Sequence, residues 1–324
     1  MQRMGLTVFG KLSVQINRRV SQKPYGGLIV FDITAIGELL IDFTPAGCNE
    51  NGIELYGRNP GGAPANVLAA VSRLGGKTAF IGKVGTDGFG QFLKHTLLEN
   101  GINADGLVMT DKVHTTLAFV QLDERGDRSF SFYRKPGADI MLEPQEVSNQ
   151  LLKDTHILHF GSVSLTDEPS RSAVLTAAKK AKEYGALISY DPNYRAPLWD
   201  NEQNALLQMK AALAYADIIK VSEEELLLLT GKADLKEGAQ ALQNVGVSLV
   251  LVTLGARGAF YMLGDMSGIL PTYDVPTIDT NGAGDAFTGA VLFCLKDKTA
   301  AQIRNMNREE LEHIVDFANA TGSL

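Results

Sequence analysis

The chain has 324 residues, 45% hydrophobic and 21% charged, enough apolar material for one large folded unit with a substantial core. Its formal net charge is −7, yet the first 28 residues hold five basic groups (Arg3, Lys11, Arg18, Arg19, Lys23) and no acid, which leaves 25 basic against 37 acidic residues beyond them. So acidic a body argues against nucleic acid as a partner, no apolar run reaches the roughly 20 residues of a membrane helix, and the widely separated Cys48 and Cys294 suggest neither a disulfide framework nor a zinc site.

Residues 1–28 read as a loosely attached basic extension, interrupted by Gly, Lys, Gln and Asn before any stretch of signal-peptide length develops, and a reducing, cytoplasmic setting is expected. From residue 29 the pattern becomes that of a sheet with helices on its faces. It predicts a strand over 29–36, a strand over 53–58, a helix over 65–74, a strand over 78–81 and a helix over 89–100. Two further strands, 116–122 and 128–134, flank the turn 123–127 with no helix between them. Then follow strand 157–160, helix 170–184, strand 187–190, helix 203–214, strand 218–221, helix 236–245 and strand 249–253. This α/β order implies a largely parallel sheet with right-handed crossovers, in three α/β/α layers. The strands that break the alternation, 53–58, 116–122 and 128–134, read as a small separate sheet acting as a lid on a domain spanning 29–324.

The sharpest chemical signal is Asp279-Thr280-Asn281-Gly282-Ala283-Gly284-Asp285-Ala286-Phe287, which follows a strand-like run and opens the apolar stretch 286–295. Gly282, Ala283 and Gly284 therefore sit at a helix N-terminus, where unpaired N–H groups and the helix dipole favour an anion such as a transferred phosphate. Asp285, beside that anion, accepts a proton from an attacking hydroxyl. With an ordinary carboxylate pKa lowered further by the dipole it is a weak base, and the proton leaves late in a loose phosphoryl-transfer transition state. The local alternative is a glycine-rich turn whose Asp285 merely stabilises the first turn of its helix.

Other motifs fail inspection. Gly76-Lys77-Thr78 ends like a P-loop, but the required glycine five positions before Gly76 is Val71. The segment 282–287 lacks the third glycine of a dinucleotide fingerprint, because position 287 is Phe. His156 and His159 sit three apart in a strand-like run without cysteine partners, which reads as structural rather than metal-binding.

The 279–287 segment resembles the C-terminal signature of the ribokinase/PfkB family of sugar kinases, and Gly61-Gly62-Ala63-Pro64-Ala65-Asn66-Val67 through Leu74-Gly75 resembles its N-terminal signature. The resemblance runs from about Phe31 to the C-terminus. It implies a ribokinase-like fold, ATP and Mg²⁺ as cofactors, Asp285 as base and the 282–284 backbone as anion hole. It also implies sugar contacts from Gly61, Gly62, Asn66 and Asp42, the last within Gly37-Glu38-Leu39-Leu40-Ile41-Asp42. Phe132-Tyr133-Arg134-Lys135-Pro136-Gly137-Ala138-Asp139 and Asp191-Pro192-Asn193-Tyr194-Arg195 resemble fructokinase members of the family, so fructose is the expected acceptor, with Arg134 and Asn193 as ligands. The local alternative for Arg134 is an exposed strand-end charge.

On the nucleotide side the resemblance implies Lys220, Glu225, Thr253, Gly255, Gly258 and Asn319, with Glu225 organising Mg²⁺ through water and Asp279 near a K⁺ ion. Ser222 stands where many relatives carry asparagine, and read locally, Glu225 belongs to an acidic helix start capped by Ser222. The sequence stops at Leu324 where relatives continue with another strand and turn, a departure that bears on adenine contacts and K⁺ dependence. A homodimer through the lid strands is expected. Alternative substrates within the family are 2-keto-3-deoxygluconate and ribose; a non-catalytic sugar- or nucleotide-binding protein is a more distant reading.

Overall fold

Runs such as Thr78–Gly85 and Thr155–Gly161 are buried along their whole length, as strands covered on both faces must be, so no polar face alternates with the apolar one. The computed structural model describes residues 31–122, 128–273, 275 and 282–323. The extension 1–28 and the turn 123–127 lie outside the described residues. In chain order the first strands are β1 (Phe31–Ile36), β2 (Leu40–Cys48), β3 (Glu54–Gly61), β4 (Thr78–Gly85), β5 (Ile102–Thr110), β6 (Leu117–Leu122) and β7 (Arg128–Tyr133). They are followed by β8 (Thr155–Gly161), β9 (Leu187–Asp191), β10 (Ile218–Ser222), β11 (Leu249–Thr253), β12 (Ala259–Leu263) and β13 (Met266–Leu270). The helices are α1 (Ala63–Arg73), α2 (Gly88–Glu99), α3 (Asn149–Lys153), α4 (Ser170–Glu183), α5 (Glu202–Leu213), α6 (Glu223–Thr230), α7 (Leu235–Asn244), α8 (Ala283–Leu295), α9 (Ala300–Arg304) and α10 (Arg308–Gly322).

Among the described residues, nine strands form one sheet in the order β13-β12-β11-β10-β9-β8-β1-β4-β5. It is parallel from β5 to β11, and the hairpin β12–β13 closes it in antiparallel fashion. One face packs on α3 to α7 and the other on α1, α2 and α8 to α10, each through its own apolar cluster. This is the ribokinase-like three-layer arrangement. None of the described helices is long and apolar enough to cross a membrane.

A second sheet, β3-β2-β6-β7, contains the three predicted lid strands and one more, β2. In β2, Pro45 sits where the β2–β3 register shifts, an irregularity that tolerates a residue without an N–H. Local rules set the helix starts: Asp87 accepts from the N–H groups of Phe89 and Gly90 to start α2, and Asn201 and Asp234 cap α5 and α7 in the same way. Two starts differ. Both α1 and α8 begin at glycines with positive φ, Gly62 (118°) and Gly282 (79°), and no side chain caps either.

Candidate active site

The C-terminal edge of the large sheet and the lid enclose a cleft of about 870 Å³. Of the residues predicted for chemistry and sugar contact, the structure brings Asp42, Gly61, Gly62, Asn66, Asn193, Gly282 and Asp285 together along its walls. Asp42 comes from β2 and Gly61 from the end of β3, so the lid supplies one wall. These two are in close contact: a Cβ at Gly61 would stand 2.2 Å from Asp42 Oδ2. At Gly62 a Cβ would meet the Glu38 carbonyl oxygen at 2.4 Å, so this glycine lets α1 start against the 37–39 connection between β1 and β2.

Asn66, on the first turns of α1, donates from Nδ2 to Asp285 Oδ2 at 2.9 Å and so ties the two sequence signatures directly. Asp285 is buried in the first turn of α8. Burial pushes its carboxyl up to about 6 and the Asp191 charge adds to this, while the Asn66 amide, Lys220 and Arg195 hold it down. Asp285 is thus a stronger base than the dipole argument alone expects, because loss of solvent outweighs the stabilising neighbours. Asp42 is likewise pushed up to about 6 by burial, with the Arg195 guanidinium pulling the other way. Arg195 lines the cleft, exposed, and faces both carboxylates.

Beneath the first turn of α8 lies Lys220 from β10. Its Nζ donates to Asp191 Oδ2 at 2.9 Å and stands 3.1 Å from where a Cβ on Gly284 would be. The bare Cα of Gly284 leaves room for this ammonium, which adds positive charge under the uncapped N–H groups of 282–284. The Asp191, Glu225 and Asp285 charges keep this buried lysine protonated, raising it against desolvation. Neither Asp191 nor the Lys220–Gly284 approach is visible from spacing, although Asp191 stands in the quoted 191–195 stretch.

Four predicted residues are held by hydrogen bonds within the chain. Arg134 is buried rather than exposed and does not line the large cleft: Nε donates to Asp139 Oδ2 at 2.7 Å, and the two terminal nitrogens reach Thr166 Oγ1 (2.8 Å) and the Val163 carbonyl (3.0 Å). Glu225 forms a capping box with Ser222, and its two oxygens accept the N–H groups of Tyr194 (2.7 Å) and Ser222 (2.8 Å). Asn319 spends its amide N–H groups on the carbonyls of Leu270 and Pro271, both at 3.1 Å. Thr253 ends β11 with its hydroxyl directed at the Val221 carbonyl. Gly255 (φ 58°) and Gly258 (φ 93°) bound the short turn that follows. Asp279 lies outside the described residues. His159 meets Ser189 Oγ at 3.0 Å and is held neutral by burial, and His156 meets the Lys298 carbonyl at 2.8 Å, both structural arrangements.

The family model for pfkB family carbohydrate kinases matches residues 31–324. A probable fructokinase-2 of Arabidopsis thaliana is 43% identical over 298 residues, covering 90% of this chain and 89% of that protein. Among solved structures, fructokinase with bound ATP from Xylella fastidiosa superposes with a TM-score of 0.85 at 35% identity, covering 91% of this chain and 92% of that one. Fructokinase from Vibrio cholerae O395 in its fructose-, ADP- and calcium-bound form gives 0.81 at 37%, covering 90% and 91%. With both signatures joined by the Asn66–Asp285 bond in one cleft, the chain belongs to the pfkB family of carbohydrate kinases.

Proposed function

We propose that this protein transfers the γ-phosphate of ATP to a hydroxyl of fructose, giving fructose 6-phosphate. The observation that carries the reading is Asp285: a buried carboxylate, raised towards neutrality, at an uncapped helix N-terminus and facing the cleft that Asp42, Gly61 and Asn66 line. A binding protein needs no such base. Relatives 43% identical are named fructokinases, and a solved neighbour holds fructose and ADP in one structure.

In this reading the sugar lies against Asp42, Gly61, Gly62, Asn66 and Asn193. Asp285 accepts the hydroxyl proton while the 282–284 backbone, with Lys220 behind it, takes up the charge on the transferred phosphoryl group. Arg134 acts on the cleft through Asp139 and the 163–166 turn rather than by contact. The nucleotide extends along β10 and β11 towards Thr253, Gly255, Gly258 and Asn319. Mg²⁺, when bound with the nucleotide, neutralises phosphate charge. Glu225, whose two oxygens each accept one backbone N–H and keep further lone pairs, would order the water around that ion, so that phosphate and water hold it. The exposed Arg195 guanidinium on the cleft wall favours, as second reading, an acid sugar such as 2-keto-3-deoxygluconate.

Lid strands and their flanks expose Ile53 (60%), Leu55 (43%) and Tyr133 (67%), an apolar surface that supports a homodimer through the lid. Light scattering at a stable 34.9 kDa, the chain mass, would rule that out.

The test of function is ADP release by wild type and Asp285→Asn with ATP, Mg²⁺ and a panel of fructose, ribose, glucose and 2-keto-3-deoxygluconate. Fructose-selective turnover reduced by about 10²-fold or more in the variant is expected. Turnover on another sugar moves the substrate, and an undiminished variant removes Asp285 from its role.

A further inference from the structure

The large sheet changes its direction of growth at β1: later strands are added through β4 and β5 on one side and through β8 to β11 on the other. Open α/β sheets gather ligands outside the strand C-termini at such a switch point. Glu38 stands there, just past β1, and its Oε2 accepts a 3.1 Å hydrogen bond from Ser164 Oγ in the turn after β8. Its backbone presses on the Gly61-Gly62 turn through the Gly62 approach described above, and a Cβ on Gly37 would meet Ser164 Oγ at 3.2 Å. Glu38 is only 3% exposed, yet it lines the cleft alongside Asp42 and Asn66.

One guanidinium serves two carboxyls at this point. Arg134 is committed to Asp139, which it meets at 2.7 Å, so Glu38 is the surplus acid. Burial pushes it up to about 7; the charged groups facing it are Arg134, which lowers it, and Asp139, which raises it, and the Ser164 hydroxyl and its own N–H lower it too. A protonated carboxyl donates a hydrogen bond, whereas the Asp42 carboxylate across the same cleft accepts one.

We propose that Glu38 is a sugar-recognition residue whose carboxyl O–H donates to the ring oxygen of the acceptor sugar, opposite Asp42 as acceptor. The inference rests on the sugar-kinase reading of the cleft. Glu38 loses its proton as pH rises through about 7 and then sets an acceptor against a ring oxygen that has no hydrogen to donate, so affinity falls on the alkaline side.

The test is KM for fructose and KM for ATP, measured separately between pH 5.5 and 9, in wild type and Glu38→Gln. In the wild type the fructose KM rises about tenfold above pH 7 while the ATP KM does not follow. Glutamine keeps an N–H donor at every pH, so the variant retains a near-wild-type fructose KM at pH 6.5 and loses the alkaline rise. A flat wild-type profile, or a variant whose KM climbs as the wild type does, overturns the proposal. Should Glu38→Gln give no cooperative melt, Ser164→Ala reads the same group: removing a hydroxyl that lowers the Glu38 pKa moves the alkaline rise to higher pH, and an unmoved rise is refuting. If the wild type turns over a different sugar of the panel, that sugar takes the place of fructose in the same experiment. A wild type inactive on the whole panel overturns the functional reading first, and this proposal with it.

Discussion

Asn66→Ala deletes the 2.9 Å hydrogen bond to Asp285 Oδ2 and leaves the burial of the carboxylate in place. A hydrogen bond to a charged group contributes roughly 1.5–3 kcal/mol, and about 1.4 kcal/mol corresponds to one pH unit in a titration. Asn66 holds the Asp285 carboxyl down, from a balance that leaves it at about 6, so its loss moves that titration to higher pH by roughly one to two units. The base is active when ionised; activity is therefore lost as pH falls through the Asp285 pKa, and the variant loses it earlier on the way down. Near pH 7 the shift alone lowers kcat/KM for fructose by roughly two- to tenfold, while at pH 9 both proteins are fully ionised. The assay is ADP release at saturating ATP across pH 5.5–9, read as the ratio of variant to wild type. That ratio climbs with pH to a plateau, and the plateau stays below one by whatever sugar contact the amide makes. A ratio that is constant across the range refutes the claim that Asn66 tunes the base.

Lys220→Met leaves Asp191, 2% exposed, buried without its ammonium partner, at a cost of roughly 3–5 kcal/mol; the thermal midpoint falls by several degrees, and an unchanged midpoint contradicts the pairing. Gly61→Ala drives a methyl into the Asp42 carboxylate and raises the fructose KM with little change in melting, since a side chain yields more readily than backbone. Gly62→Ala meets a backbone oxygen at a φ of 118° and lowers the melting temperature as well; equal melts for the two variants would show that the close approach to Glu38 is not required. Glu225→Gln offers one acceptor oxygen to two N–H donors, destabilising the chain by roughly 1–3 kcal/mol and raising the Mg²⁺ concentration for half-maximal activity; a variant melting and titrating like the wild type removes Glu225 from both roles.

Much of the site was legible because its parts are local. Gly282 opens α8 with a left-handed backbone and no capping side chain, and the motif alone places it there. The central strands were readable from unbroken apolar runs. In contrast, β2, β5, the hairpin β12–β13 and helix α10 were not singled out from the apolar pattern. Glu225 shows both readings at once, since its capping box with Ser222 is local while its bond to Tyr194 reaches a loop 31 residues away.

What the amino-acid sequence determined by itself is the chemistry on offer: an aspartate at a glycine-rich helix start, a glycine pair before Asn66, and the α/β order that carries them. Tertiary structure alone decided how those groups behave. Asn66 and Asp285 are 219 residues apart, and only their meeting gives the base its partner. Burial raises Asp285, Asp42 and Glu38 together, and no spacing reports burial. Arg134 illustrates the reverse case, a cation that the motif offered to the sugar and that Asp139 turns into the protein, because a guanidinium out of water is held by whichever carboxylate and carbonyls the fold brings within reach.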